Sequence, residues 1–355
     1  MTAAQTFGAI LLAAALAGAG AAQQPASIGL PPQVAPEQRN AALAYAMLWA
    51  QAPDDFHTFA RTIPSPKAMP LDYSPPAAMR TRLNAHAPML DAAGQAATLD
   101  RCDFELQREQ GTSMPLPHMS FMHMTFRLLL ADARRLSLEG EPDTAAQRLA
   151  TMLGVARHLS MDLTHVSSRI ACEAAQAACE HSAALLEAHE LSDEANSQLS
   201  AAIARFDPDD PFNTRAATIA TVEHSIANSA PELRDREFER IGNTGFMGID
   251  ATEEPLPVTM PEQQAWIDEQ MDQCRVWARD VIAAMDSTDP DTQLSAISQR
   301  ARTGDYGPLA KTGLTYSLTP VWKAETWARE SMRALAGHRP NGLTPRGRAL
   351  PRRFP

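Results

Sequence analysis

"LLLADARRLSLEGEPDTAAQRLATML", residues 128–153, decides how the chain is read. Leu129, Ala133 and Leu136 recur at steps of four and three, and Ala145, Leu149 and Leu153 follow at steps of four. Such spacing puts each set on one face of an α-helix. Between the sets, Gly140 stands where a helix ends in a left-handed turn. Pro142 stands where the next begins with no need of its amide. The stretch predicts two helices folded back on each other.

Upstream, "SMPLPHMSFMHMTF" (113–126) crowds Met114, Met119, Met122 and Met124 around His118 and His123. Soft sulfur and imidazole ligands suit copper, so a metal box has to be weighed. Met119 and Met122 fall on the stripe that continues through Phe126 to Leu136, which reads as core, while Met124 falls off it. His118 and His123 are five apart, roughly 140° around a helix, and cannot clasp one ion from that helix alone.

Further helices are expected over 36–52, 76–99 (kinked or broken near Pro88), 117–139, 142–160, 163–190 and a short one capped by Ser192. Beyond these come 211–240, interrupted near Pro231, then 261–285, 290–302 and 320–336. The prolines of "TIPSPKAMPLDYSPP" (62–76) make that segment a connector. No stretch alternates with period two. The expected fold is all-α, about nine to eleven helices in antiparallel hairpins packed as a bundle or short solenoid.

In 163–190, Val166, Ile170, Ala174, Ala177, His181 and Ala184 mark one apolar stripe. Cys172, Ala175, Cys179, Ala183 and Leu186 mark a second, so this helix is packed on two sides. Ile267, Met271, Cys274, Ala278, Val281 and Met285 form another core stripe. Domain organisation follows: a signal peptide over 1–22, a leader over 23–36, a helical-hairpin domain over 37–240, an irregular Gly/Pro loop over 241–260, C-terminal helices over 261–336 on the same core, and an Arg/Pro tail over 337–355 without periodicity.

The signal-peptide reading rests on the apolar run from Phe7 to Ala21, with small residues at Ala19-Gly20-Ala21. No later segment is apolar for a spanning length. Export would place Cys102, Cys172, Cys179 and Cys274 in an oxidising compartment. Cys172 and Cys179 lie about 10 Å apart along one helix and cannot bond each other. A full set of disulfides would link Cys102 and Cys274 to that helix; otherwise all four are free, buried thiols.

Net charge is −11; the tail contributes +5 through Arg339, Arg346, Arg348, Arg352 and Arg353, leaving −16 for the rest. That balance argues against nucleic acid as a partner. Asp162 and His165 sit at i, i+3 but lack the second such motif of a di-metal bundle; Asp162 reads as a cap. His158 and His165 read as surface or capping residues at a helix junction, and His181 and His189 as a solvated face beside Glu180 and Glu187. No H-E-x-x-H, G-x-S-x-G, P-loop or G-x-G-x-x-G occurs, so no cofactor and no catalytic residue is assigned.

The opening stretch is similar to one tetratricopeptide-like hairpin, with Gly140 at the turn and Ala145 at the close-packing position; no second copy is evident. More broadly, residues about 38–180 resemble an uncharacterised family of exported, all-helical bacterial proteins. The resembling pieces are "RNAALAYAMLW" (39–49), "CDFELQREQG" (102–111), "LPHMSFMHMTFRLLLADARRL" (116–136) and, further on, "LTPVWKAETWARESMRALA" (318–336). The resemblance implies a fold, an extracytoplasmic address and a core role for Met119, and it transfers no catalytic residue. The expected role is a non-catalytic interaction or structural module whose partner is another envelope protein. The competing reading is an enzyme or copper carrier with its site near the 241–260 loop or at His118 and His123.

Overall fold

Gly140 takes a φ of +82° with open space around it, and the chain reverses there as the sequence requires. In this computed structural model, which describes residues 40–235, 259–314 and 318–337, the reversal joins α4 (His118–Leu138) to α5 (Pro142–Ser160). The two helices pack against each other. Before them come α1 (Ala41–Ala50), α2 (Phe56–Thr62) and α3 (Ala77–Ala97). After them come α6 (His165–Ala188) and α7 (Asp193–Ala204). Helix α8 (Thr214–Ala220) runs on through a π turn (Thr221–Ile226) and helical residues up to 235. The chain ends in α9 (Met260–Met285), α10 (Pro290–Thr303), α11 (Gly307–Gly313) and α12 (Thr319–Gly337).

The described residues are all-α; the one β-type pairing is an isolated bridge between Asn40 and Arg101. The signal peptide, the leader, positions 241–258 of the Gly/Pro loop and the tail beyond 337 lie outside the described residues. None of the described helices is long and apolar enough to cross a membrane.

Local chemistry explains most helix starts. Asn40, Thr164 and Ser192 each accept a hydrogen bond from an early backbone amide, and Thr259 with Glu262 forms a reciprocal capping box. Thr164, not Asp162, therefore caps α6. Helix α3 stays continuous through Pro88, and the irregularity expected at Pro231 falls instead on the π turn. The short helices α2 and α11 were not expected: seven residues present too little periodic pattern to stand out.

The interior divides into two apolar clusters. The first gathers residues from α1 to α7 together with Ala324, Ala328, Met332 and Leu335 of α12. The second gathers Val222 to Leu233 with α9, α10, α11 and the start of α12. Residues 261–336, expected on the same core as the rest, thus contribute to both, and α12 is the element that straps them. Helix α6 is packed on two sides, with Cys172, Ala175 and Cys179 buried on one and Ala174, Ala177 and His181 on the other. Its small side chains let α5 and α12 approach closely. Gly154 of α5 serves the same end, since a Cβ there would come within 2.8 Å of the Ala97 carbonyl oxygen.

Candidate functional site

The extended segment after α3 and the turn after α5 together enclose a polar cleft of about 350 Å³. Asn40 holds the first wall. Its side-chain oxygen caps Ala42 at 3.1 Å and also accepts from the Asp103 amide at 2.8 Å, while its nitrogen donates to the Asp103 carbonyl at 2.7 Å. The Asp103 carboxylate accepts from the Glu105 amide at 2.9 Å, the main reason its pKa lies below the usual carboxylate range. The second wall is Met161 and Asp162. Next in sequence to wall residues stand two non-glycine residues with a left-handed backbone, Glu105 (φ +51°) and Leu163 (φ +54°). Such conformations cost free energy and cluster where surrounding structure imposes them.

Asp162 organises the floor. Its Oδ2 accepts from His118 Nε2 at 2.6 Å and from the Ser167 hydroxyl at 2.7 Å, and its carbonyl accepts from Arg108 at 2.7 Å. Phe104 stacks on the His118 ring with centroids 4.0 Å apart and planes 12° from parallel. All three polar side chains are buried. A serine nucleophile needs the histidine between serine and carboxylate. Here the carboxylate is in the middle, and both partners donate to one oxygen. Ser167 has no base.

Cys102 lines the same cleft, but burial, and then the charge of Asp162, push its thiol pKa far up, so it is no thiolate nucleophile. Of the two outcomes open to the cysteines, the structure has free, buried thiols and not a set of disulfides. Cys102, Cys172, Cys179 and Cys274 are all free and buried, and no disulfide joins them. Cys102, Cys172 and Cys179 lie in the first core and Cys274 in the second, each facing apolar neighbours. Burial pushes the Cys274 thiol up to about 12 and raises Cys172 and Cys179 as well.

The Met/His box comes apart in three dimensions. Met122 is wholly buried core. Met119 is only partly buried, and its sulfur accepts from the Ser167 hydroxyl at 3.4 Å. Met124, although off the apolar stripe, is buried too: its sulfur meets His57 Nδ1 at 3.0 Å, while Trp49 Nε1 donates to His57 Nε2 at 3.3 Å. His118 faces Asp162. His123 is half-buried, its pKa lowered first by burial and then by Arg127, with Glu173 opposing. The two histidines face different neighbours, and among the described residues no group of three or more His, Cys, Asp or Glu side chains is placed to hold a metal.

His158, His165 and His181 also turn inward. His158 accepts from the Tyr45 hydroxyl at Nδ1 (2.9 Å) and donates from Nε2 to the Leu99 carbonyl (2.7 Å). His165 Nε2 meets the Thr218 hydroxyl at 3.0 Å. Burial lowers the pKa of both to about 4. His181 is buried as well, and His189 caps α6 with Nε2 3.1 Å from the Ser137 hydroxyl. His158, His165 and His181 are thus not the surface, capping or solvated residues that helical position alone suggests, because each is buried; His189 stays half-buried at the α6 C-cap. Nothing in the spacing of Phe104, His118 and Asp162 announces that they meet; the "Cys-Asp-Phe" run in an extended segment is the only local trace.

No family model, no curated protein and no solved structure matches the chain.

Proposed function

We propose that this chain is an exported, non-catalytic interaction or structural module of the cell envelope. One observation carries the non-catalytic half: the groups best suited to chemistry are bonded to one another inside the fold. Asp162 is a shared acceptor for His118 and Ser167, both ring nitrogens of His158 have partners, and the four thiols are buried. An acid–base or nucleophilic residue has to reach a substrate, with a pKa near the working pH. The cluster instead fixes the start of α6 against α4 and the Arg108 turn. The export half rests on the run from Phe7 to Ala21 and on the resemblance in residues 38–180.

Cross-linking in the native cell, followed by purification of the tagged chain from the envelope fraction, tests the reading. A stoichiometric protein partner that is retained by Cys102→Ser and His118→Gln supports it. A chain recovered alone, with its first residue still Met1, removes both halves.

A second reading is favoured by the strained backbone beside the cleft walls, at Glu105 and Leu163. In it the 350 Å³ cleft holds a small polar ligand between Arg101, Arg108 and Asp103. Metabolite-library thermal shifts that vanish in Arg108→Ala would favour it over the first. The copper carrier that the Met/His box suggests finds less support, since His118 and His123 face apart.

A further inference from the structure

Helix α7, the end of α6 and the last turn of α12 border an open groove of about 540 Å³. Its apolar wall includes Leu186, Leu199, Ile203 and Leu335, and Asp193 stands on its rim. Its α6–α7 side is acidic, while Arg205 and Arg333 stand exposed at its other side. Between Arg169 and Arg205 there is no Lys or Arg, whereas Glu173, Glu180, Glu187, Glu190, Asp193 and Glu194 all fall there. The last four are exposed and bunch at the α6–α7 turn. The chain leaves α12 at Gly337, two residues beyond Leu335. Residues 338–355 then carry five arginines and no acid, with Leu343, Leu350 and Phe354 among them. An extended chain spans at most about 3.3–3.6 Å per residue, so Leu343 reaches about 20 Å and Arg348 about 36 Å from the helix end. The groove is within that reach.

We propose that the basic segment 338–355 seats in this groove, its leucines on the apolar wall and its arginines against Glu187, Glu190, Asp193 and Glu194. Three features favour this occupant. It is tethered beside the site, which gives it a high effective concentration. It bears the opposite charge to the acidic α6–α7 turn at one end of the groove. Pro340, Pro345 and Pro351 restrict it before it binds, so less freedom is lost on docking. The docked tail then shields the acidic turn from other basic partners. The inference does not depend on the function proposed above.

Limited trypsin digestion of the intact chain tests it, because cleavage follows the population of the open form. A segment docked about nine-tenths of the time is cut about tenfold more slowly than a free one. Cleavage after Arg346 and Arg348 is expected to quicken about that much at high salt and in Glu187→Gln/Glu190→Gln/Asp193→Asn/Glu194→Gln. Leu343→Ser, which alters no residue of the described helices, is expected to quicken it too. Equal rates in all these forms overturn the proposal. So does protection that disappears on dilution, which would assign the groove to the tail of a second copy. Protection gained only on adding anionic vesicles would assign the tail to lipid and overturns it as well.

Discussion

The two cores are built by different means. The first, from α1 to α7 with the end of α12, surrounds polar and ionic groups. Asp132 is wholly buried between Arg135 and Arg148, each 2.8 Å away, and Arg148 reaches on to Asp91 at 2.6 Å. His118, His158 and Asp162 lie in the same region. The second core, around α9 to α11, is nearly all hydrocarbon, with Trp277, Leu309 and Leu314 at its centre. Its notable polar contacts, Tyr306 to Asp280 at 2.6 Å and Arg275 to Glu223 at 2.8 Å, lie at its edge. Apolar packing tolerates alternative arrangements of similar volume, whereas a buried ion must find one partner. The first core is therefore expected to hold its register more strictly, at the Asp132 knot where α4 and α5 fold back.

Equal truncations should reveal that difference most strongly. Asp132→Ala removes the buried carboxylate shared by two guanidinium groups, leaving Arg148 to Asp91 and Arg135 to Glu139, and should cost about 3 kcal/mol. Trp277→Ala leaves a cavity and should cost a similar ~3–5 kcal/mol. Hydrogen exchange resolved along the chain separates the two: the first should open α4 and α5, the second α9 and α11. If either substitution loosens both cores equally, the division into two units fails.

Acid should distinguish the cores next. Folding lowers His158 and His165 from 6.5 to about 4. The unfolded chain takes up protons first as pH falls, so the stability due to neutral histidine is complete above about 6.5 and is lost progressively towards 4. Between pH 7.5 and 5 each should cost about 2 kcal/mol, read by urea unfolding. The exchange rates of α9 and α10 should barely respond. His158→Phe should flatten about half of the pH slope.

A smaller effect is expected at the candidate site. Asp162→Ala leaves the His118 and Ser167 donors without their acceptor and should destabilise by about 1–3 kcal/mol, with the loss concentrated at the start of α6. Ser192→Ala removes the α7 cap and should cost about 1 kcal/mol. Thermal melts of both variants check the order. Reversal of that order would mean that the Asp162 cluster contributes less to stability than one surface cap.

The hairpin was legible because its signals are local. Gly140 and Pro142 act through their own backbone, and Leu129 to Leu153 repeat at helical spacing. The α9 stripe from Ile267 to Met285 was legible for the same reason, and all six residues are buried. The fate of the histidines and cysteines was not. His158 meets Tyr45 across 113 positions and His118 meets Asp162 across 44. Helical periodicity says which side of a rod a residue occupies, not which other rod lies there. Met124 shows this most simply: it stands off the stripe of its own helix and is still buried, because α2 brings His57 over it.

By itself, the sequence determined the longer helices, the Ser192 cap and the turn that pairs α4 with α5. Those depend on backbone preferences and on spacing within a few residues. Tertiary structure alone decided that the interior splits in two, that α12 straps the halves, and that the thiols lie among apolar neighbours while imidazoles meet hydroxyl, carbonyl and carboxylate groups from distant parts of the chain. The physical reason is that pairing a buried polar group requires a partner in space, and position along the chain places that partner only when it is close by.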